Sequence, residues 1–206
     1  MEKHILSILG YSQPRAGSTY VFHTLSQIIQ NRWLIEQMMF NDMGVNSDPW
    51  TCKIHDAHLQ HPNISKAFRE FSIRKDVCSI YLYRDDKEDR ILSHLLAQAS
   101  NRYYSQSTDI ALEPFTWDKD NDPIQRFIGD DMRDMAIRDT YHFDKTIRYE
   151  DLTGDWRTDF ADWIDPSKDY NYMPQLYRKI ASKQDKIAVM TNYDAFKKEF
   201  DRWYTE

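Results

Sequence analysis

Glycine is scarce in this chain, with 5 among 206 residues, and proline contributes only 7. That shortage excludes collagen-like, low-complexity and long disordered architectures, and no internal repeat is visible. The 2 cysteines are too few for a disulfide framework. Both Cys52 and Cys78 fall in strand-like segments and read as buried, reduced thiols. The stretch TCKIHDAHLQH sets one cysteine beside three histidines without the regular spacing of a zinc site, so no metal is expected. No run approaches the ~20 apolar residues of a membrane span, and MEKHILSILGYS turns polar too early for a secretory signal. These absences predict a cytoplasmic protein without membrane contact. The net charge of -6 argues against nucleic acid as a partner, so an anionic ligand must be held by a local group of cations.

With 41% hydrophobic and 29% charged residues, the chain suits one globular domain over residues 1–206. Buried strands are expected at HILSIL (4–9), WTCKIH (50–55), VCSIYLY (77–83) and KTIRYE (145–150). Helical spacing begins at Ser18, with Val21, Phe22, Leu25, Ile28 and Ile29 on one face. A second helix, NISKAFREF, has Asn63 placed to cap it. Ile91, Leu92, Leu95, Leu96 and Ala99 mark a third. A fourth opens at Pro123 behind Asp122, with Ile124, Phe127, Ile128, Met132 and Met135 on its apolar face. The tail stripes Phe196, Phe200 and Trp203, which reads as core packing. Between Ser105 and Asp122 no period is visible. Phe115 and Trp117 in that segment, with Tyr103 and Tyr104 before it, suit a sugar face or plain core burial equally. Strands alternating with helices predict a three-layer α/β fold, its mainly parallel sheet of about four or five strands flanked by helices. Ligands of such sheets sit beyond the carboxyl ends of the strands.

The first strand leads through GYSQPRAGST into a helix, the layout of a phosphate-binding loop. The triphosphate template G-x-x-x-x-G-K-[ST] fails in both registers: from Gly10, Arg15 stands at the second glycine, and from Gly17, Ser18 stands at the lysine. The strongest strand runs into Arg84 rather than a magnesium-holding aspartate. A kinase or ATPase therefore falls behind a bare-anion site. Gly17 admits close backbone approach, and the amides and hydroxyls around Ser18 and Thr19 add donors to a helix N-terminus. On this segment alone, anion site and ordinary capped turn are evenly matched.

Three segments in order, PRAGST (14–19), YRDDKEDRILS (83–93) and IRYEDL (147–152), resemble the signatures of sulfotransferases that use 3′-phosphoadenosine-5′-phosphosulfate (PAPS). The second is closest in style to the bacterial branch that includes trehalose sulfotransferases. The resemblance implies a P-loop-like fold and transfer of a sulfuryl group to a hydroxyl of a carbohydrate or small metabolite, with PAP as product. It implies that Arg15, Ala16, Gly17, Ser18 and Thr19 cradle the 5′-phosphosulfate, and that Arg84 and Ser93 hold the 3′-phosphate. Ala16 departs from the usual serine, and Arg84 to Ser93 is one position longer than the commonest pattern. The C-terminal R-K-G motif of the cytosolic animal enzymes is missing, which leaves the adenine contacts open.

Arg15 suits the charge that develops on the bridging oxygen of the departing nucleotide. Two residues compete for the base that takes the acceptor proton. Glu36, in WLIEQMMF, resembles the glutamate of the trehalose-type branch, and its apolar neighbours favour a raised pKa. His55, in CKIHD, resembles the histidine of K-x-H in the animal enzymes, with Lys53 then facing the transferring group. Tyr149 and Glu150 read as support near the site, and the remaining histidines as surface residues. A nucleotide or metabolite kinase and a PAP-binding module without catalysis are the alternatives. Oligomeric state is left open.

Overall fold

The computed structural model describes residues 7–30, 32–34, 50–100, 112–121, 123–165, 167–170 and 181–204. Five strands, β1 (Ser7–Ser12), β2 (Arg32–Leu34), β3 (Trp50–Ile54), β4 (Val77–Tyr83) and β5 (Lys145–Arg148), form one sheet in the order β2-β3-β1-β4-β5. Every neighbouring pair is parallel. The expected α/β class with a parallel sheet is therefore correct.

The helices among the described residues are α1 (Ser18–Ile28), α2 (Asp56–Leu59), α3 (Pro62–Ser72), α4 (Lys87–Ser100), α5 (Pro123–Thr140), α6 (Trp156–Asp159), α7 (Lys183–Val189) and α8 (Tyr193–Tyr204). They cover both faces of the sheet, and the strand alternation shows it. Leu9 and Tyr11 of β1 join Cys52, Ile54 and Tyr81 in a core that also takes Ile64 and Phe68 of α3. Ile8, Cys78, Ile80 and Leu82 face the other way, against Val21, Phe22, Leu25 and Ile28 of α1. A strand buried on both faces is a near-continuous apolar run, which is why VCSIYLY was legible and matches β4 residue for residue. A third core joins α4, α5 and α8 around Phe127 and Phe196.

Several local expectations are corrected. The first strand extends to Ser12, past Gly10, because Gly10 leaves room for the Phe22 ring instead of starting the turn. Helix α3 starts at Pro62, and His61 rather than Asn63 is its N-cap; proline at the first position has a pre-set φ and lacks an N–H that would go unbonded there anyway. Met132 and Met135 are 69% and 59% exposed, so the apolar face of α5 is narrower than its pattern implied. Trp203 is 39% exposed while Phe196 and Phe200 are buried. Phe115 and Trp117 belong to the third core. The Phe115 amide donates to the Val189 carbonyl at 3.0 Å, and Asn192 bonds both the amide and carbonyl of Trp117 at 2.9 and 2.8 Å. These contacts tie the aperiodic segment to the C-terminal helices, so neither ring is an acceptor platform. Tyr103, Tyr104, Asp122 and Glu36 lie outside the described residues. Cys52 and Cys78 are buried and reduced. No described helix is long and apolar enough to cross a membrane.

Candidate functional site

The parallel registers bring four segment ends to one edge of the sheet. Ser12 pairs with Leu82, Tyr11 with Ile54, and Tyr83 with Arg148. The residues that follow, Gln13, His55, Arg84 and Tyr149, therefore emerge side by side. Gln13 stitches two of these ends together: its amide donates to the Leu82 carbonyl at 3.1 Å, and its side-chain oxygen accepts from the Arg84 amide at 3.0 Å.

The loop from Gln13 to Gly17 is tight. Ala16 N–H donates to the Gln13 carbonyl at 3.2 Å, and Arg15 and Gly17 both hold positive φ, 63° and 79°. For arginine that backbone costs on the order of 1 kcal/mol. Gly17 is required twice, since a Cβ there would also stand 2.7 Å from the Tyr149 ring. Ala16 is fully buried, its methyl in the α1 core. Its amide closes the turn, so within the PRAGST segment the donors for an anion fall to the residues after it. Gly17 gives α1 no side-chain cap, leaving the first-turn amides of Ser18 and Thr19 without helical acceptors by construction. Lys53 of β3 donates to Ser18 Oγ at 3.4 Å, so a cation reaches this loop from the neighbouring strand.

Arg84 is buried, with 3% of its side chain exposed. A solvated surface arginine is thereby excluded. Its Nη1 donates to the Arg15 carbonyl and to Ser93 Oγ, each at 3.3 Å, and Nη2 pairs with Asp89. The guanidinium lies over the Tyr149 ring, 4.2 Å from its centroid. Burial pushes the Tyr149 hydroxyl above its ordinary pKa, so this ring is a neutral wall between Gly17 and Arg84. Glu150 accepts from the amides of Asp85 and Asp86 at 3.2 and 3.0 Å and fixes the turn into α4. Support is the role its geometry shows.

His55 Nδ1 lies 2.8 Å from the Ser12 carbonyl. A carbonyl only accepts, so in the neutral ring the proton sits on Nδ1 and the basic lone pair on Nε2. The His55 amide donates to His58 Nδ1 at 3.0 Å, which makes His58 a positioning neighbour rather than a bystander on the surface.

Sequence reading overlooked two residues. Lys186 of α7 donates to Ser93 Oγ at 2.8 Å and pairs with Asp89; a helix 97 residues further along carries it there, and no local pattern signals that. His94 was read as a surface residue, yet it is half-buried with its ring 5.3 Å from Phe127. Burial, together with the Arg126 and Arg15 charges, lowers its pKa to about 4. Since the folded pKa lies below the unfolded value near 6.5, the neutral ring is stable above pH 6.5. Stability is then lost as the pH falls from about 6.5 to 4. With solvent screening at a half-exposed ring, the loss amounts to about 1–2 kcal/mol. Melting temperatures of the wild type and His94→Gln from pH 7.5 to 4.5 should diverge, the wild type falling faster; parallel curves would remove His94 as an acid-sensitive group.

The described site therefore combines the left-handed loop that carries Arg15, three further cations (Lys53, Arg84 and Lys186) and a tautomer-fixed imidazole at the carboxyl ends of the strands. No family model matches the chain, and no curated protein matches it either.

Proposed function

We propose that the protein is a PAPS-dependent sulfotransferase acting on a hydroxyl of a carbohydrate or small metabolite. The observation that carries this reading is the single guanidinium of Arg84, which contacts the loop at the Arg15 carbonyl and the helix at Ser93 Oγ, each at 3.3 Å. A donor with phosphate groups at both ends of a ribose needs two anion sites linked at short range, and this contact joins the two segments that resemble them.

In this reading the first-turn amides of α1, with the Ser18 and Thr19 hydroxyls, hold the 5′-phosphosulfate. Arg15 and Lys53 face the charge that builds on the bridging oxygen. His55 Nε2 accepts the acceptor proton as the new O–S bond forms and the bond to the departing 5′-phosphate breaks. Glu36 stays a competing base. A sulfuryl group carries less charge than a phosphoryl group, so the cations of the chain suffice for this step. A kinase that has lost its lysine and a non-catalytic PAP-binding module remain the competing readings, and ligand response separates the first from both others.

PAP at 100 times its dissociation constant should stabilise the fold by about 2.7 kcal/mol, a rise of roughly 5–10 °C in Tm for a chain of this size. ATP with magnesium should produce no comparable rise. A flat response to PAP beside a rise with ATP and magnesium would replace this reading with the kinase one. PAP binding without turnover across an acceptor panel would leave only the binding module.

A further inference from the structure

Asp89 occupies the point where Arg84 of the second segment and Lys186 of α7 converge. Its carboxylate takes Arg84 Nη2 on one oxygen and Lys186 Nζ on the other. Ser93 Oγ stands 3.3 Å from Arg84 Nη1 and 2.8 Å from Lys186 Nζ. All four side chains are buried: Arg84 and Asp89 at 3% exposed, Lys186 at 4% and Ser93 at 9%. Two cations thus meet on one oxyanion and share the Ser93 oxygen, whose own proton goes to the Asp89 backbone carbonyl at 2.8 Å; a pair of buried cations of this kind is what a phosphate group selects.

The other lysine of the same helix differs. Lys183 pairs with Asp86 and Glu88 at 3.1 and 2.9 Å, at the helix start and away from Ser93. Lys186 alone among the described lysines shares both a hydroxyl and a carboxylate with Arg84.

We propose that Asp89 is an internal counter-ion that fills the 3′-phosphate subsite in the ligand-free protein, and that Lys186 is the second cation of that subsite. This inference rests on the sulfotransferase reading above. Binding then exchanges one oxyanion for another: the phosphate takes the Arg84 and Lys186 donors that Asp89 releases. Asp89 thereby sets the affinity and the selectivity of the subsite, because a ligand without a 3′-phosphate has nothing to offer in exchange. The carboxylate also keeps two buried cations from facing each other while the subsite waits, a repulsion that would otherwise oppose folding.

The test compares PAP with adenosine 5′-monophosphate, which lacks the 3′-phosphate, by titration calorimetry on the full chain. Asp89→Asn should tighten PAP about tenfold and leave the monophosphate within about twofold. Lys186→Met should weaken PAP about tenfold or more with the monophosphate again unchanged. Since Asp89→Asn leaves the two cations without their carboxylate and risks misfolding, the double variant Asp89→Asn/Lys186→Met completes the cycle. Removing the counter-ion along with one cation should return PAP affinity to within about threefold of the wild type. A double variant as weak as Lys186→Met overturns the role of Asp89. A Lys186→Met protein with an unchanged ratio of PAP to monophosphate affinity overturns the role of Lys186. A wild type that binds neither nucleotide overturns the sulfotransferase reading, a result distinct from both.

Discussion

Arg15→Ala is expected to lower sulfuryl transfer by about 10³–10⁵-fold, the range over which a single arginine acts on a charged group in flight. The fold should survive, because the backbone at Arg15 already sits at φ 63°, where no side chain is comfortable. Arg15→Gly gives the cleaner version of the same experiment. It removes the guanidinium and relieves the left-handed conformation together, so its stability should match or exceed the wild type by about 1 kcal/mol. Arg15→Lys keeps a charge but loses the planar fork, and should retain a fraction of the activity. The loss should appear in kcat rather than in the affinity for PAP, since the proposed work of Arg15 is done on charge that develops during transfer. Single-turnover rates with the donor saturating make the separation. An Arg15→Gly protein that is folded, binds PAP and transfers at close to the wild-type rate removes Arg15 from the reaction.

The position of that loop was legible because its signals are local. Gly17 marks a close backbone approach in the sequence and holds φ 79° in the structure; β-branched and aromatic runs located the strands, β4 with its own boundaries, whereas β1 ends at Ser12 instead of Leu9 and β5 at Arg148 instead of Glu150. The pairing of Arg84 with Ser93 was implied only by the resemblance, since the acidic residues around Arg84 suit a solvated surface charge equally well; the structure brings the two side chains within 3.3 Å. The rest depended on tertiary contacts that no window of sequence contains. Lys186 reaches Ser93 through the packing of α7 on α4, across 93 positions of chain. His94 escaped because its burial comes from Phe127 of another helix. Met132 and Met135 follow a helical period yet face outward, since period alone does not say how wide the covered stripe is. Ala16, a departure from the usual serine in the sequence, gains its physical reason only in the fold, where its methyl fills core space and its amide closes the turn.

Gly10 gives the largest structural effect to be expected of a single added methyl group. A Cβ at that position would lie 2.2 Å from one carbon of the Phe22 ring and 2.3 Å from the next. Phe22 is wholly buried between β1 and α1, so the ring has no open direction in which to retreat. Overpacking of a tight core typically costs 1–3 kcal/mol, and a contact this short against a confined ring should reach about 3 kcal/mol or more for Gly10→Ala. For a protein with roughly 5–15 kcal/mol of total stability, that is a major loss, and Gly10→Val should leave little folded chain. Urea denaturation measures it directly. The cause is checked by shrinking the ring: in Phe22→Leu the added methyl gains space, so the double variant should be more stable than the sum of the two single losses by about 1 kcal/mol or more. Additive losses would mean that the ring is not what Gly10 accommodates. The same contact bears on the site. Gly10 lets α1 lie close against β1, and α1 begins at the loop that holds Arg15, so a helix pushed outward carries its first-turn amides away from Lys53 and Arg84. Any Gly10→Ala protein that remains folded should therefore bind PAP more weakly than the wild type, although position 10 lies inside the strand and away from the loop.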